Sequence, residues 1–300
     1  MLDKTSDIGT IKIGEGRKFF SATHAEIESG ATTDIYFLRT RDILAKQGLL
    51  DTPVTADVFC RRSGVFCGSE EVRRLLDGRN IEMFALPEGE RYEGGATVMQ
   101  ISGPYGEFGL FETVLLGIAA SSTGWATAAA ECKEAADGSS VVCFGSRHIH
   151  PAVAPAMERA AMIGGMDGSS CILGALLSGV KPTGTVPHAA ILISGDTVKV
   201  AQVFDEVSDA DVARIILVDT FKDEAEESLR VAEALGRRVQ PHRRQLLRSR
   251  ELRFVRATDR DDDGHQGSQR QAGCQTGTSA RPGEIAATRK NDMKAVAGIE

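Results

Sequence analysis

Apolar and polar positions follow two different rhythms along the chain, and the change comes near Val141. Between Ile81 and Ile101, short alternating stretches are broken by polar turns such as Glu88-Gly-Glu90, which predicts a compact β layer with tight connections. Beyond the change, short apolar runs alternate with amphipathic segments, as in Ile215–Val218 followed by Glu224–Leu235. This second pattern is typical of βα units around a parallel sheet.

The same periodicities predict individual elements. Besides the β layer between residues 81 and 101, two strand patterns and five helix patterns occur before residue 163. The expected strands are Val58–Cys60 and Val141–Gly145, and the expected helices are Ala31–Leu44, Ser69–Leu76, Glu112–Ala120, Trp125–Ala136 and Ala152–Met162. We therefore expect a protein of the α/β class.

Three polar segments follow apolar runs of the second region, and we call them the rim segments: Phe144–Pro151, Gly184–His188 and Asp219–Glu224. In parallel α/β sheets, functional side chains collect in the loops at the carboxyl ends of the strands. The rim segments occupy such positions, so they predict a functional site.

Each candidate in these segments has a chemical and a structural interpretation. Arg147 can bind carboxylate or phosphate oxygens through two hydrogen bonds, or it can pair with a nearby acid on the surface. His188 can act as a nucleophile or acid–base group, or it can begin a helix. Asp219 can hold Mg²⁺, bind ribose hydroxyls, stabilise a cationic transition state or cap the next helix. Gly184 allows a ligand to approach the backbone, and Thr185 adds a hydroxyl and an N–H that can bind anions or amides.

Charge and cysteine usage limit the function classes. Residues 1–236 carry a net charge of −13, which argues against general nucleic-acid affinity, whereas residues 237–300 carry +6. No uninterrupted apolar run approaches the roughly 20 residues of a membrane helix, and no signal peptide is visible, so we expect a cytoplasmic protein. The six cysteines are scattered without a zinc-ligand spacing, which indicates free thiols and no protein-held metal site.

Six ordered motifs together resemble nicotinate phosphoribosyltransferase in its shorter microbial form, over about residues 10 to 236. They are Thr33–Tyr36, Gly103–Glu112, Phe144–Pro151, Gly164–Ser170, Gly184–Ala189 and Leu217–Glu224. The resemblance implies an N-terminal α/β sandwich over residues 1–110. It also implies the first part of an open, parallel α/β barrel of the type II phosphoribosyltransferase kind over residues 111–236.

The implied activity is transfer of phosphoribose from phosphoribosyl pyrophosphate to nicotinate, with ATP as co-substrate and Mg²⁺ as cofactor. Tyr36 and Thr185 would contact nicotinate, Arg147 would face an anionic substrate group, and His188 would be the histidine that ATP phosphorylates. A homodimer or larger assembly is implied, without nucleic acid or membrane partners. The expected site residues are His188 and Asp219 for catalysis, with Tyr36, Arg147, His148, Gly184 and Thr185 for substrate binding.

Residues 237–300 depart from the pattern. Twelve of the 25 arginines fall there, and neither helical nor strand periodicity persists, so we expect a disordered segment. The resembled family continues with an Arg-Leu-Asp-Thr strand and Gly-rich phosphate loops, which are not found after Gly236. A frameshift near codon 236 is our hypothesis for this change.

Three alternatives stay open at this point. The chain could be an inactive remnant that lacks the phosphate-binding strands. It could be a relative of quinolinate phosphoribosyltransferase, for which a denser set of Arg and Lys side chains is expected, since quinolinate carries two carboxylates. Finally, the basic segment 237–300 could bind RNA or anionic lipid, although its acidic run Asp259–Asp263 weakens that idea.

Overall fold

A computed structural model describes residues 1–14, 17–210 and 212–236, together with the backbone of 253–255 and 295–296. The expectation of disorder over 237–300 therefore concerns residues that, apart from these two short backbone pieces, lie outside the described part.

The chain alternates helices and strands. The helices are α1 His24–Glu28, α2 Ile35–Gln47, α3 Ser69–Leu75, α4 Tyr105–Phe108, α5 Glu112–Ala135, α6 Ala154–Ile163, α7 Ile172–Leu177, α8 His188–Ser194, α9 Thr197–Val207 and α10 Glu224–Gly236, with 3-10 helices at Thr5–Thr10, Gly109–Phe111 and Gly145–His148. The strands are β1 Pro53–Phe59, β2 Gly64–Val65, β3 Glu82–Ala85, β4 Arg91–Tyr92, β5 Thr97–Pro104, β6 Val142–Cys143, β7 Gly168–Ser169, β8 Ile215–Leu217, β9 Arg253–Val255 and β10 Ala295–Val296.

An antiparallel sheet of order β10-β1-β5-β3 organises the N-terminal region. Apolar residues of β1 and β5, including Val58 and Ile101, are buried in one core with Leu38 of α2, Val72 of α3 and Leu115 of α5. Helices therefore cover a face of the sheet, because that is where its apolar side chains lie. The predicted β layer between residues 81 and 101 is confirmed.

Helix α5 is continuous, so the prediction of two helices with a break between residues 120 and 125 is wrong. The polar residues at the expected break serve the packing of the helix. Thr123 Oγ1 accepts from the N–H of Cys67 at 3.2 Å and donates to its carbonyl at 3.0 Å. Gly68, at φ +106°, comes so close that an added Cβ would lie 3.1 Å from the Cα of Ala119. Because α5 carries small residues at this point, the connection between β2 and α3 can lie directly against the helix.

The helical run Tyr105–Ala135 is long and apolar enough to span a membrane by length and composition. Its packing identifies it as a core helix. Leu115 belongs to the N-terminal core, Ala126 packs with Val65, and Ala129 packs with Met157. One side of the run is therefore shared among three apolar clusters of the protein.

Parallel strand pairing begins after α5. Strand β6 pairs with β7 in the register Val142↔Gly168, and β8 pairs in parallel with the backbone of β9. Helices α9 and α10 pack on β8 through a cluster that includes Ala201, Ile216 and Val231. The mixed α/β class is confirmed. The two parallel pairs are separate sheets in the described part of the chain, so a joined barrel stays a prediction.

Candidate active site

The first rim segment begins where β6 ends. After Cys143 the chain enters the 3-10 helix Gly145–His148, which leaves Arg147 and His148 exposed. Arg147 makes no ion pair or hydrogen bond with any residue in the described ranges, so the alternative of a surface arginine paired with a nearby acid is not seen there. Its guanidinium fork is open to a ligand.

A buried carboxylate lies directly behind this turn. Glu158 of α6 has no exposed surface. Its Oε1 accepts from the hydroxyls of Ser146 and Ser170, and its Oε2 accepts from the hydroxyl of Ser169 and the N–H of Cys171. Burial raises the pKa of Glu158, but these hydrogen bonds, with that from Ser146 first, outweigh it and hold the pKa below its usual range.

The second rim segment is tied to β7. The N–H of Thr183 donates to the carbonyl of Ser169 at 2.9 Å. The chain segment that leads into Gly184 and Thr185 therefore lies beside the end of β7. Gly168 permits this approach, because an added Cβ would lie 3.3 Å from Thr183 Oγ1. Gly184 is exposed and Thr185 half-buried, which suits a loop that meets a ligand.

His188 and Asp219 connect the second and third rim segments. His188 is the first residue of α8, and Asp219 lies two positions after β8. The imidazole Nε2 of His188 is 3.0 Å from Oδ1 of Asp219. The Asp219 side chain is 9% exposed and that of His188 is 37% exposed. The carboxylate therefore lies inside while the imidazole reaches solvent.

The structural alternatives for these two residues have different outcomes. His188 does begin a helix, as one of its two interpretations held. The N-cap of α10 is provided by Asp223, whose Oδ1 accepts from the N–H groups of Ala225 and Glu226 at 2.9 and 3.4 Å. Asp219 is thus not the cap of that helix, and its carboxylate faces His188 instead.

Tyr36 is the predicted site residue that the structure keeps apart from the others. It lies in α2, its ring is 4.1 Å from that of Phe37, and it is 55% exposed. Burial, with smaller contributions from Glu112 and Asp34, raises the pKa of its hydroxyl. None of its ring contacts, hydrogen bonds or charge interactions within the described ranges involves a rim segment.

Two residues at the rim were missed by sequence reasoning. Glu158 carried a readable signal, since it is the acid in the otherwise apolar run Ala154-Pro-Ala-Met-Glu158 of an amphipathic helix. Phe19 carried none, yet its ring meets that of His150 edge-on at 6.5 Å. An aromatic contact between segments so distant in sequence follows from the fold and not from spacing.

Comparisons with known proteins identify a family for the chain. The model for the quinolinate phosphoribosyl transferase N-terminal domain matches residues 34–123, and the model for the C-terminal domain of the same family matches residues 125–236. Together the two models extend from the segment before Tyr36 to the end of α10.

Similar individual proteins carry related names. A nicotinate phosphoribosyltransferase of Mycobacterium tuberculosis is 29% identical over 198 residues, which are 55% of this chain and 44% of that protein. A nicotinate phosphoribosyltransferase of Bacillus subtilis is 28% identical over 157 residues, 52% of this chain and 32% of that protein. The chain thus spans less than half the length of these two relatives.

Solved structures extend the comparison. The nicotinate-nucleotide pyrophosphorylase of Pyrococcus furiosus is 40% identical, with a TM-score of 0.72 over 83% of this chain and 70% of that one. Human nicotinic acid phosphoribosyltransferase is 20% identical, with a TM-score of 0.57 over 75% and 60% of the two chains, and shares the fold. With both domain models matched and a 40% identical relative covered over most of its length, the chain belongs to the type II phosphoribosyltransferase family.

Proposed function

We propose that this protein is a nicotinate phosphoribosyltransferase of NAD biosynthesis, which forms nicotinate mononucleotide from nicotinate and phosphoribosyl pyrophosphate. The observation that carries the proposal is the His188–Asp219 pair, which joins the second and third rim segments. Arg147, in the first rim segment, is exposed and has no ion-pair partner within the described residues. A histidine whose ring is oriented by a carboxylate suits an enzyme that couples phosphoribose transfer to ATP hydrolysis. The names of the Mycobacterium and Bacillus relatives support the same activity.

In the proposed transfer, the ring nitrogen of nicotinate forms a bond to C1 of the ribose while the bond from C1 to pyrophosphate breaks. The electron pair of the broken bond leaves with pyrophosphate, so positive charge develops on the ribose. The carboxylate of Asp219 would stabilise that charge. Arg147 would bind an anionic group of a substrate through two hydrogen bonds, with His148 beside it.

His188 would couple ATP to the transfer. When its Nε2–H donates to Asp219, its Nδ1 carries the lone pair. That nitrogen would attack the γ-phosphorus of ATP with ADP as the leaving group, and water would later cleave the P–N bond and release phosphate. Gly184 and Thr185, which precede His188 in the same loop, would contact nicotinate.

The residues fit Mg²⁺ as an ion that arrives with substrate phosphates. Within residues 1–14, 17–210 and 212–236, no group of three His, Cys, Asp or Glu side chains forms a metal site. Asp219 supplies one carboxylate at the rim, and Mg²⁺ is commonly bound by one or two carboxylates together with phosphate oxygens. The ion would supply charge neutralisation at the pyrophosphate, and Asp219 would be the residue that contacts it.

Tyr36 would complete the site of a neighbouring subunit. It is largely exposed on α2 and has no contact with a rim segment within the described residues, so in the proposal α2 of one subunit approaches the rim of another. A homodimer or larger oligomer belongs to the proposal for this reason. A cytoplasmic location belongs to it as well, because none of the five described cysteines forms a disulfide bond.

Quinolinate phosphoribosyltransferase is the second candidate, because both matched domain models carry that description. Its substrate brings two carboxylates and needs more cations. Near the rim, Arg159 is paired with Glu88 and Lys133 with Asp167, so both are already engaged. Arg147 has no ion-pair partner within the described residues, and one such cation suits the single carboxylate of nicotinate better.

The test is turnover by the purified full-length chain. It would be supplied with phosphoribosyl pyrophosphate, MgCl₂ and either nicotinate, nicotinamide or quinolinate, with and without ATP, and products would be identified by mass spectrometry. We expect nicotinate mononucleotide from nicotinate, faster with ATP, and loss of that stimulation in His188→Ala but not in His24→Ala, which changes an exposed histidine of α1.

Two results would contradict the proposal. Product from quinolinate, with release of CO₂, and none from nicotinate would favour the second candidate. A folded chain that converts none of the three substrates would instead be an inactive remnant of the family.

A further inference from the structure

The Glu158 cluster consists of Glu158 and its four hydrogen-bond donors: Ser146, Ser169, Ser170 and the backbone N–H of Cys171. The donors come from two places. Ser146 lies in the 3-10 helix that carries Arg147, and the other three lie at the end of β7. Glu158 itself lies on α6, between these two segments in sequence.

The cluster has the chemistry of an ionised carboxylate and not of a generic polar contact. All four partners donate, and none of them is a cation. A buried carboxylate without a cationic partner is costly unless its oxygens are well supplied with hydrogen bonds. Here both oxygens are supplied, each by two donors, at 2.6, 2.7 and 3.0 Å for Ser169, Cys171 and Ser170.

One step further, the cluster reaches the second rim segment. The carbonyl of Ser169 accepts from the N–H of Thr183 at 2.9 Å, and Gly184 and Thr185 follow directly. Hydrogen bonds therefore connect both the turn with Arg147 and the loop with Thr185 to Glu158, the first through Ser146 and the second through Ser169. Among the described residues, none forms an ion pair or hydrogen bond with the exposed Arg147 side chain, so its position depends on the anchoring of Ser146.

We propose that Glu158 is a positioning residue that sets the place of Arg147 for the anionic substrate, acting through the hydroxyl of Ser146. It does not touch the reacting atoms. The role rests on the proposed function, because it needs a substrate that Arg147 binds. It predicts that the cluster influences substrate binding more than the chemical step.

The test compares Ser146→Ala with Ser178→Ala. Ser178 is the control, because its hydroxyl, at the C-terminal cap of α7, donates to the carbonyl of Gly174 and has no part in the cluster. We expect Ser146→Ala to raise the KM of the substrate bound by Arg147 about tenfold, as loss of one charge-assisted hydrogen bond would, with kcat within about twofold.

In an Arg147→Ala background the same change should have no further effect on KM, because the residue it positions is gone. Glu158→Gln should resemble Ser146→Ala, since an amide NH₂ would face donors.

Trypsin cleavage after Arg147, followed by mass spectrometry of the same variants, separates this inference from the proposed function. Cleavage about tenfold faster in Ser146→Ala than in Ser178→Ala supports an anchored turn even if the wild-type chain turns over no substrate, which would overturn only the proposed function. An active enzyme in which Ser146→Ala leaves both KM and cleavage unchanged, or adds its full effect on KM to that of Arg147→Ala, overturns the role of Glu158.

Discussion

The imidazole of His188 and the carboxylate of Asp219 meet at 3.0 Å, and this contact joins two rim segments that are 31 residues apart. The acid side chain is 9% exposed and the base side chain 37% exposed. A nearly buried carboxylate fixes the orientation of the ring, while the ring remains accessible to a ligand from solvent. The pair thus has the form of an oriented nucleophile or acid–base group.

Asp219→Asn keeps the size of the side chain and removes its charge. We expect kcat to fall by about 10²- to 10⁴-fold, because the amide neither orients His188 in the same tautomer nor stabilises positive charge on the ribose. Steady-state kinetics with nicotinate checks this. Asp223→Asn, which changes the cap of α10, is the matched control and should keep kcat. Equal kinetics for Asp219→Asn and wild type would remove Asp219 from the site.

Tyr36→Ala and Arg147→Ala should complement each other if sites are shared between subunits. Each variant alone lacks one substrate contact, so we expect a raised KM and little activity at substrate concentrations that just saturate the wild type. After unfolding and refolding of an equal mixture, about a quarter of the wild-type activity should return, because half of the dimers would be mixed and each would contain one intact site. A mixture no more active than its components would show that Tyr36 does not act across subunits.

Arg159 and Glu88 tie α6 to the N-terminal region at 2.6 Å, and the Glu88 side chain is only 8% exposed. Arg159→Ala would leave that carboxylate without its cation, so we expect the free energy of unfolding in urea to fall by about 1–3 kcal/mol, less than for a fully buried pair because Arg159 is partly exposed. Arg91→Ala breaks the exposed pair with Glu134 and should cost less than about 1 kcal/mol. Equal losses for the two variants would contradict the difference in burial.

The pKa of Glu26 is predicted to be low. Hydrogen bonds from Arg17, and then from the N–H and hydroxyl of Thr23, lower it to about 2. Since the folded-state pKa is depressed, the stabilisation is present above the ordinary Glu value and is lost as the pH falls towards about 2. Carboxyl NMR titration should find this value in wild type and a clear rise in Arg17→Ala. An ordinary pKa in wild type would show that the Arg17–Glu26 pair does not form in solution.

Long periodic segments were predictable from the sequence, and their contacts were not. The pattern of Glu224–Leu235 identified α10, since one helical face carries its apolar residues. The break expected before Trp125 was wrong, because Thr123 of α5 hydrogen-bonds to the backbone of Cys67, a contact that only the tertiary structure reveals. Local propensity has no access to such contacts.

In the candidate site, too, the residues were predictable from the sequence and their contacts were not. The positions of Arg147, His188 and Asp219 just after apolar runs identified them as candidates, because functional groups collect at the carboxyl ends of parallel strands. Their pairing depends on which loops are neighbours, as the His188–Asp219 contact illustrates. Glu158 carried a signal as an acid in an apolar run, but its role depends on four hydrogen-bond donors that only the fold brings together.

The central claim is that His188, oriented by Asp219, carries the phosphoryl group that couples ATP to nicotinate transfer. The most direct measurement is incubation of the full-length chain with γ-³²P-ATP and MgCl₂, followed by peptide mapping under alkaline conditions. We predict one acid-labile phosphoryl group on His188 that is discharged when nicotinate and phosphoribosyl pyrophosphate are added. Active enzyme that carries no label, or carries it on another residue, would contradict the claim.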